Sequence, residues 1–403
     1  MTAPEKLQTT CCIVGGGPAG IVAGLLLARQ GVDVVVLEKH ADFLRDFRGD
    51  TIHPSTLELL HELGWLDAFL QLPHSRMTEV TVSLAGSLIT FADFTRLNLR
   101  CPYVAFMPQW DFLNFMTEKA RAFDNFRLRM RAEATDLLVS SGRVVGVRAR
   151  TDAGPLEVHA QLVLGCDGRR SIFRDADEME VIAQSAPMDV LWFRLPRRPD
   201  EALPFFVPGR GRVLICIDRG AYWQIAYVIP KGGVDDVKAA GIDALRANVA
   251  AMHPQLADRV DALQSWADVP FLRVQVDRLR RWYREGLLCI GDAAHAMSPA
   301  GGVGINLAIQ DAVAAANLLG PTLRQGRAPS LAELRRVQRR RALPTRVTQA
   351  LQVRAAGGLY PRDLDDDPSA HVPFAFRLFK VFPLLRHLAG RIIGQGVRSE
   401  HVR

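Results

Sequence analysis

A glycine-rich turn, GGGPAG at residues 15–20, places the strongest constraint on how this 403-residue chain can fold. It follows an apolar strand predicted over residues 11–14 and precedes a helix, rich in Ala and Leu, predicted over residues 21–30. A second continuous apolar strand is predicted over residues 32–37 and ends at Glu38. This βαβ order is typical of a dinucleotide-binding domain built on a parallel sheet.

Each glycine of the turn has a separate task in such a domain. Gly15 permits the tight turn, Gly17 lets the backbone approach a pyrophosphate, and Gly20 lets the helix pack closely on the strand. The phosphates would lie at the helix N-terminus, where backbone N–H groups are unpaired. Glu38 lies 21 residues beyond Gly17 and could accept hydrogen bonds from the ribose hydroxyls of an adenosine. The turn alone does not distinguish NAD from FAD.

Two later turns also follow strands that we predict to be buried. The first is CDGRRS at residues 166–171, and the second is GDAAH at residues 291–295, followed by PAGGVG at residues 299–304. The order and spacing of the three turns resembles the FAD-dependent aromatic hydroxylase family, the single-component flavoprotein monooxygenases of the para-hydroxybenzoate hydroxylase type. The resemblance runs with gaps from about residue 9 to about residue 320, and it is weak in the region that would choose the substrate.

The resemblance implies FAD as the bound cofactor and NADH or NADPH as a transient co-substrate. It implies that Asp292 binds the ribityl and pyrophosphate region, that Asp167 serves FAD and the nicotinamide site, and that Pro299 and Gly301 border the reacting face. Arg45 is an alternative to Arg48 near the flavin. The residues predicted to bind the cofactor are Gly15, Gly17, Pro18, Ala19, Gly20, Glu38, Lys39, Arg48, Gln109, Asp167, Gly291, Asp292, Pro299, Gly302, Val303, Gly304, Ile305 and Asn306.

The fold class that we predict is α/β, as an α+β composite. A Rossmann-like FAD-binding domain of the glutathione reductase type would carry an inserted mixed β-sheet substrate domain and a C-terminal helical region. The predicted limits are 1–74, 101–182 and 282–345 for the FAD-binding domain, 75–100 and 183–281 for the substrate domain, and 346–403 for the tail.

Patterning in the later half of the chain predicts several further elements. Residues 212–218 and 222–229 form a predicted hairpin, and residues 234–269 carry helical patterning. A long basic helix is predicted over residues 332–353, with a kink or break at Pro344 because proline has no N–H to donate.

The candidate substrate-binding residues lie on two predicted strands of the inserted domain. Trp223 and Tyr227 share one face of their strand, Tyr222 is on the other, and Trp192 belongs to a neighbouring strand. One face would line an apolar cavity, which suits a hydrophobic ring system and excludes water. The alternation does not say which face this is, and an ordinary sheet core is the alternative.

The resemblance implies a monooxygenase that uses NAD(P)H and O2 to hydroxylate an aromatic or polycyclic hydrophobic small molecule through a flavin C4a-hydroperoxide. The alternatives are a flavin-dependent reductase of a lipid or isoprenoid double bond, a flavin-dependent halogenase, and a flavin-binding sensor without turnover. The resemblance places His295 in the Gly-Asp turn near the flavin, so we expect it to have a structural or hydrogen-bonding role. No partner acid or Ser is evident in the sequence, so a hydrolytic triad has no support. The sequence shows no cluster of His, Cys and Asp residues that would suggest metal ligands, so we predict no metal site.

The net charge of +7 is concentrated at the C-terminal end, where residues 324–403 contain 16 Lys+Arg and 6 Asp+Glu. No nucleic-acid motif accompanies this charge, so we expect no nucleic-acid partner. The apolar and basic pattern of residues 374–393 fits either a peripheral membrane contact or docking on the protein itself, and a homodimer contact stays open. With neither a signal-like segment nor a run of about 18 apolar residues, we expect a cytoplasmic protein without a transmembrane segment.

Overall fold

The computed structural model describes residues 4–44, 51–84, 87–174, 179–359 and 374–403. Its strands are β1 (Glu5–Val14), β2 (Val34–Glu38), β3 (Thr51–Ile52), β4 (Ser75–Met77), β5 (Glu79–Leu84), β6 (Ser87–Asp93), β7 (Val104–Phe106), β8 (Phe126–Met130), β9 (Glu133–Ser140), β10 (Arg143–Thr151), β11 (Gly154–Gly165), β12 (Val181–Gln184), β13 (Met188–Pro196), β14 (Phe206–Gly209), β15 (Arg212–Asp218), β16 (Tyr222–Pro230), β17 (Phe271–Leu272), β18 (Val276–Leu279), β19 (Tyr283–Arg284) and β20 (Leu287–Cys289). Its helices are α1 (Pro18–Arg29), α2 (Pro54–Glu62), α3 (Leu66–Phe69), α4 (Gln109–Arg121), α5 (Val234–Ala239), α6 (Ile242–Met252), α7 (Val303–Arg324), α8 (Leu331–Leu359), α9 (Phe374–Val381) and α10 (Pro383–Gly394).

The larger sheet has the strand order β19-β20-β11-β1-β2-β8, and β10 and β9 extend it beside β11. Strands β20, β11, β1, β2 and β8 run parallel to one another, which buries the central apolar strands between helices, whereas β19 and β10 are antiparallel to β20 and β11. The register aligns Val14 with Gly165, and Gly165 with Cys289. The three glycine-containing turns therefore leave neighbouring strands at the same level of one sheet edge.

A second, five-stranded sheet has the order β14-β15-β16-β13-β17 and pairs its strands antiparallel. One face of this sheet packs on Leu245 and Val249 of α6. The opposite face packs on the β5–β6 hairpin, around Val82 and Ile89, and it also reaches Ala300. The predicted α/β fold class, with an inserted sheet domain, is confirmed.

Two predicted elements differ from the structure. The helical pattern of residues 234–269 continues as short 3-10 turns after α6 ends at Met252. No break occurs at Pro344, because α8 runs through it. The hydroxyl of Thr345 donates to the carbonyl of Arg341 at 2.9 Å, a bond that threonine side chains in helices often make to the carbonyl four residues earlier.

The C-terminal helices α9 and α10 dock on the protein. Gly390 lies against strand β6 so closely that a Cβ there would be 2.0 Å from the carbonyl oxygen of Asp93. Near the end of α10, the carbonyl of Ile393 accepts a hydrogen bond from His53 Nδ1 at 2.8 Å. Gln310 of α7 donates to the carbonyl of Gln395 at 3.1 Å. The tail therefore contacts strand β6, the start of α2 and helix α7.

Within the described residues, one helical stretch, Ala300–Arg324, is long and apolar enough to cross a membrane by length and composition. Because 72% of its most apolar window is buried inside the protein, this is weak evidence of a span. The stretch contains α7, which packs against α1, α8 and the larger sheet as a core helix.

Candidate active site

The three turns come together at the edge of the larger sheet. Gly15 has a φ of 105°, and a Cβ on it would lie 2.4 Å from the carbonyl oxygen of Cys166. A Cβ on Gly291 would lie 3.1 Å from that of Ala19, the second residue of α1. Backbone that approaches this closely requires glycine. The turns are separated by more than a hundred residues in sequence, yet they form one continuous wall.

Gly17 leaves an open space at the start of α1. No described atom beyond its chain neighbours lies within 4 Å of a Cβ built on Gly17, whereas a Cβ on Gly20 would lie 1.9 Å from the carbonyl of Gly15. Gly17 is the N-cap of α1 and has no side chain to bond the first amides of the helix. The space and the unpaired amides together suit a phosphate group.

The carboxylate of Glu38 closes the adjacent side of this space. Its Oε2 accepts a hydrogen bond from the Gly16 amide at 2.9 Å, and its Oε1 accepts from the His40 amide at 3.0 Å. The side chain is mostly buried at the end of β2. The backbone thus holds the carboxylate beside the glycine turn, where a ribose would follow the pyrophosphate.

Asp167 carries a buried oxygen that no described residue satisfies. Its Oδ2 accepts from the Ile172 amide at 2.9 Å, while Oδ1 has no partner in the described chain. Burial raises the pKa of Asp167, against the opposing effect of hydrogen bonds from Ser171 and Ile172. A buried acceptor of this kind is costly without a donor, and a ligand hydroxyl or water at this wall would supply one.

Arg174 holds the third turn in place. Its Nη2 donates to the carbonyl of Asp292 at 2.8 Å and its Nε donates to the carbonyl of Ala293 at 3.0 Å. The guanidinium also forms a buried ion pair with Asp277 at 2.8 Å. The side chain of Asp292 stays about a third exposed, with Arg169 Nη2 at 3.5 Å, so it is accessible to a ligand.

The turn at residues 299–302 leads into helix α7. Gly301 and Gly302 have φ values of 76° and 63°, in the left-handed region, and Val303 begins the helix. Thr51 donates from Oγ1 to the carbonyl of Gly302 at 3.0 Å, and a Cβ on Gly302 would lie 2.2 Å from that hydroxyl. The turn therefore presents backbone, rather than side chains, in front of the helix N-terminus.

These features fit FAD. The open N-terminus of α1 suits the pyrophosphate, Glu38 suits the adenosine ribose, and the orphaned oxygen of Asp167 and the accessible carboxylate of Asp292 suit ribityl or ribose hydroxyls. The glycine turn before α7 can pack flat against a flavin ring, with helix amides nearby to favour negative charge on the reduced ring.

A model of the family described as "FAD binding domain" matches residues 8–350. The chain belongs to this family. A curated relative, 6-methylpretetramide 4-monooxygenase from Streptomyces rimosus, is 33% identical over 327 residues, which cover 80% of this chain and 77% of the relative. The resemblance inferred from the three turns and the prediction of FAD are confirmed, and the protein is an FAD-dependent monooxygenase.

Solved structures agree on the fold of this monooxygenase. The p-nitrophenol 4-monooxygenase PnpA from Pseudomonas putida matches with a TM-score of 0.77 at 20% identity, over 98% of this chain and 100% of that one. The anhydrotetracycline hydroxylase OxyS from Streptomyces rimosus matches with a TM-score of 0.76 at 23% identity, over 98% of this chain and 77% of that one.

In this monooxygenase, the candidate substrate residues lie on two different faces of the second sheet. Trp192 packs on the same apolar cluster as Ala300, which belongs to the turn before α7. Trp223 and Tyr227 are on the opposite face, packed under α6, and Trp223 Nε1 donates to Glu201 at 2.6 Å. Those two rings are core residues in this structure, so their predicted substrate role does not agree with their placement. Tyr222 lies near the strand end, where the guanidinium of Arg194 lies 5.0 Å from its ring centre.

The remaining predicted cofactor residues differ in how they are placed. Asn306 is buried in α7, where its Oδ1 accepts hydrogen bonds from Ser55 at 2.6 Å and Thr56 at 3.2 Å. Lys39 is exposed beyond Glu38, and Gln109 begins α4 and is half-buried. Arg48 and its alternative Arg45 lie outside the described residues.

His295 has an acid partner that sequence reasoning missed. Its Nε2 lies 2.5 Å from Oδ2 of Asp311, and both side chains are buried. Asp311 also accepts from the Gly291 amide at 3.1 Å, so it holds the third turn directly. Burial opposes ionisation of Asp311, but His295 and Arg341 outweigh it and keep its pKa below the usual value. The pair is 16 residues apart in sequence, a separation that no local motif indicates.

Proposed function

We propose that this monooxygenase hydroxylates a hydrophobic, polycyclic aromatic small molecule with NAD(P)H and O2. The observation that supports the substrate class is the shared apolar cluster of Trp192 and Ala300, because it sets the apolar sheet face that carries Trp192 against the turn predicted to border the reacting ring. Phe91 and Phe205 pack on the same cluster. The name of the relative, a 6-methylpretetramide 4-monooxygenase, points to the same class.

When bound, FAD would supply the redox chemistry that links NAD(P)H, O2 and the substrate. The chain's own residues bind and orient. The α1 amides and Glu38 would hold the nucleotide end, and Asp167 and Asp292 would hold the middle. The glycine turn before α7 would support the ring, and the helix N-terminus would stabilise negative charge there. The apolar sheet face excludes water from the reacting side.

The test is NAD(P)H-dependent oxygen uptake by the FAD-loaded protein, with a panel of phenolic and polycyclic aromatic compounds and mass analysis of products. We expect at least one polycyclic compound to stimulate uptake and to gain one oxygen atom. Reduction of a compound by two hydrogen atoms, without stimulated uptake, would instead favour the double-bond reductase. A product that forms only with added halide would favour the halogenase.

Predictions about oligomeric state, cellular location and domain limits can be measured directly. A homodimer would appear in sedimentation as about twice the 44.6 kDa chain mass. In cell fractionation, a cytoplasmic location would place the protein in the cytosolic fraction. A peripheral membrane contact of the tail would place part of it in the membrane fraction. The predicted domain limits would appear as boundaries of protease-resistant fragments.

A further inference from the structure

Two glutamines of helix α8 hold the segment that leads into the flavin-facing turn. Gln349 donates from Nε2 to the carbonyl of Ala296 at 3.0 Å and to that of Asp277 at 2.8 Å. Gln352, one turn later, donates from Nε2 to the carbonyls of Ser298 at 2.9 Å and Ala300 at 2.7 Å. Alternate carbonyls of residues 296–300 thus face α8.

Gln352 holds both sides of Pro299, the residue predicted to border the reacting face. The carbonyls that it binds belong to the residues immediately before and after that proline. The side chain is 7% exposed, so water competes little for these two hydrogen bonds. Gln352 lies beyond residue 350, where the match to the family model ends.

The geometry fixes which way the amide of Gln352 points. A flipped amide would place Oε1 within 3 Å of two carbonyl oxygens, which is repulsive. With Nε2 bound to both carbonyls, Oε1 is buried and has no hydrogen-bond partner in the described chain. The Nε2 group of Gln352 is therefore used by the turn. The unpaired, buried Oε1 costs free energy that a surface glutamine would not lose, because water would bind its oxygen.

We propose that Gln352 is a positioning residue that fixes the Ser298–Ala300 backbone, and through it Pro299 and the glycine turn, against the flavin. Its effect on the turn is independent of the substrate, whereas its effect on oxygen transfer rests on the proposed function. Two backbone amides report on the turn. The Ala300 amide donates to Ser298 Oγ at 3.3 Å, and the Gly302 amide donates to the carbonyl of Pro299 at 3.0 Å.

The test compares Gln352→Met, which removes the donor but keeps the length, with Gln338→Met on the same helix. Gln338 also donates from Nε2 to a backbone carbonyl, that of Arg280 at 2.9 Å, but far along the helix from the turn. In the FAD-loaded protein we expect hydrogen exchange at the Ala300 and Gly302 amides to be about tenfold faster in Gln352→Met. Gln338→Met should leave both rates unchanged.

A second variant covers the case in which Gln352→Met fails to fold. In Gln352→Glu, an ionised carboxylate faces the two carbonyls, whereas a protonated one can donate to one of them. Protection of the Ala300 and Gly302 amides, corrected for intrinsic exchange, should therefore recover partly at acidic pH. Equal protection in the Gln352 variants and in Gln338→Met would overturn the proposal.

Substrate turnover separates this proposal from the proposed function. If the turn loosens and product per NAD(P)H falls at least twofold while NAD(P)H oxidation continues, Gln352 positions the turn for oxygen transfer. If the turn loosens but coupling is unchanged in an enzyme that forms product, the role in oxygen transfer is wrong. If no compound is oxygenated by the unaltered enzyme, the proposed function fails and the exchange result alone decides the role of Gln352.

Discussion

Arg341 donates from Nε to Oδ1 of Asp311 at 2.9 Å, and both side chains are fully buried. The other oxygen of Asp311 binds His295 and the amide of Gly291. Arg341 also pairs with Glu400, three residues before the last residue of this sequence, at 3.2 Å. Buried ionic contacts therefore connect the C-terminal residues to the turn that carries Asp292.

Breaking this connection should be costly for stability. Arg341→Met leaves the buried Asp311 and Glu400 carboxylates without their shared cation, so we expect a loss of about 3–5 kcal/mol in the free energy of unfolding. Arg340→Met is the matched control, since Arg340 pairs with the same Glu400 from a position that is 31% exposed, and it should cost under about 1 kcal/mol. Urea denaturation of both variants measures the difference, and similar losses would contradict the prediction.

Gly17→Ala should weaken FAD binding without weakening the fold. The φ of Gly17 is −76°, which alanine adopts freely, and no described atom beyond its chain neighbours occupies the space of the new methyl group. Only a bound pyrophosphate would meet that methyl, so we expect the Kd for FAD to rise at least about tenfold.

Flavin fluorescence quenching measures this Kd, and thermal unfolding of the cofactor-free protein checks the fold. Gly233→Ala is a suitable control, because Gly233 also has a φ of −76° at a helix N-cap but precedes α5, which packs with the second sheet. An unchanged Kd in Gly17→Ala would place the pyrophosphate elsewhere.

His53 should make stability depend on pH. Burial lowers its pKa from the ordinary 6.5, although the carbonyls of Ile393 and Gly302 act in the opposite direction. Between the lowered pKa and about 6.5 the unfolded chain binds a proton that the folded protein does not, so the free energy of unfolding should fall as pH decreases. The slope for one proton is at most about 1.4 kcal/mol per pH unit.

His53→Asn tests this origin, since the asparagine amide does not titrate and can still donate to Ile393. We expect a shallower decline in the variant when unfolding is measured from pH 8 to pH 5. Parallel curves for the two proteins would assign the pH dependence to other groups.

Trp192 and Trp223 should respond differently to truncation because they occupy opposite sheet faces. Trp192→Ala should raise the KM for the aromatic substrate about tenfold with little change in the Kd for FAD. Trp223→Ala should cost about 3–5 kcal/mol in unfolding free energy, since it empties the core under α6 and removes the bond to Glu201. If Trp223→Ala alone changed the KM, the assignment of faces would be reversed.

Much of the fold could be predicted because its determinants are local. The turn at residues 15–20 needs glycines at fixed spacing, and the predicted βαβ unit appears as β1, α1 and β2, although β1 begins six residues before its predicted start. The hairpin of β15 and β16 was predicted for the same reason. The break considered at Pro344 is absent, because α8 runs through the proline, and the lack of one N–H did not decide where this helix ends.

The site was harder to predict where its residues meet only through packing. Alternation along β16 divides Trp223 and Tyr227 from Tyr222, but it cannot say that α6 covers one face while Ala300 approaches the other. Gln352 is likewise an ordinary polar residue of a basic helix until α8 packs on residues 296–300.

The sequence by itself determined the dinucleotide-binding βαβ unit, because short glycine motifs encode its backbone chemistry. The cofactor and the reaction class followed from the resemblance of the three turns to the aromatic hydroxylase family. Only the tertiary structure decided that Asp311 joins His295 to Arg341, that Gln352 holds the turn before α7, and which sheet face approaches the reacting turn. Those contacts join residues from 16 to more than 50 positions apart, and their geometry exists only after the sheets and helices have packed.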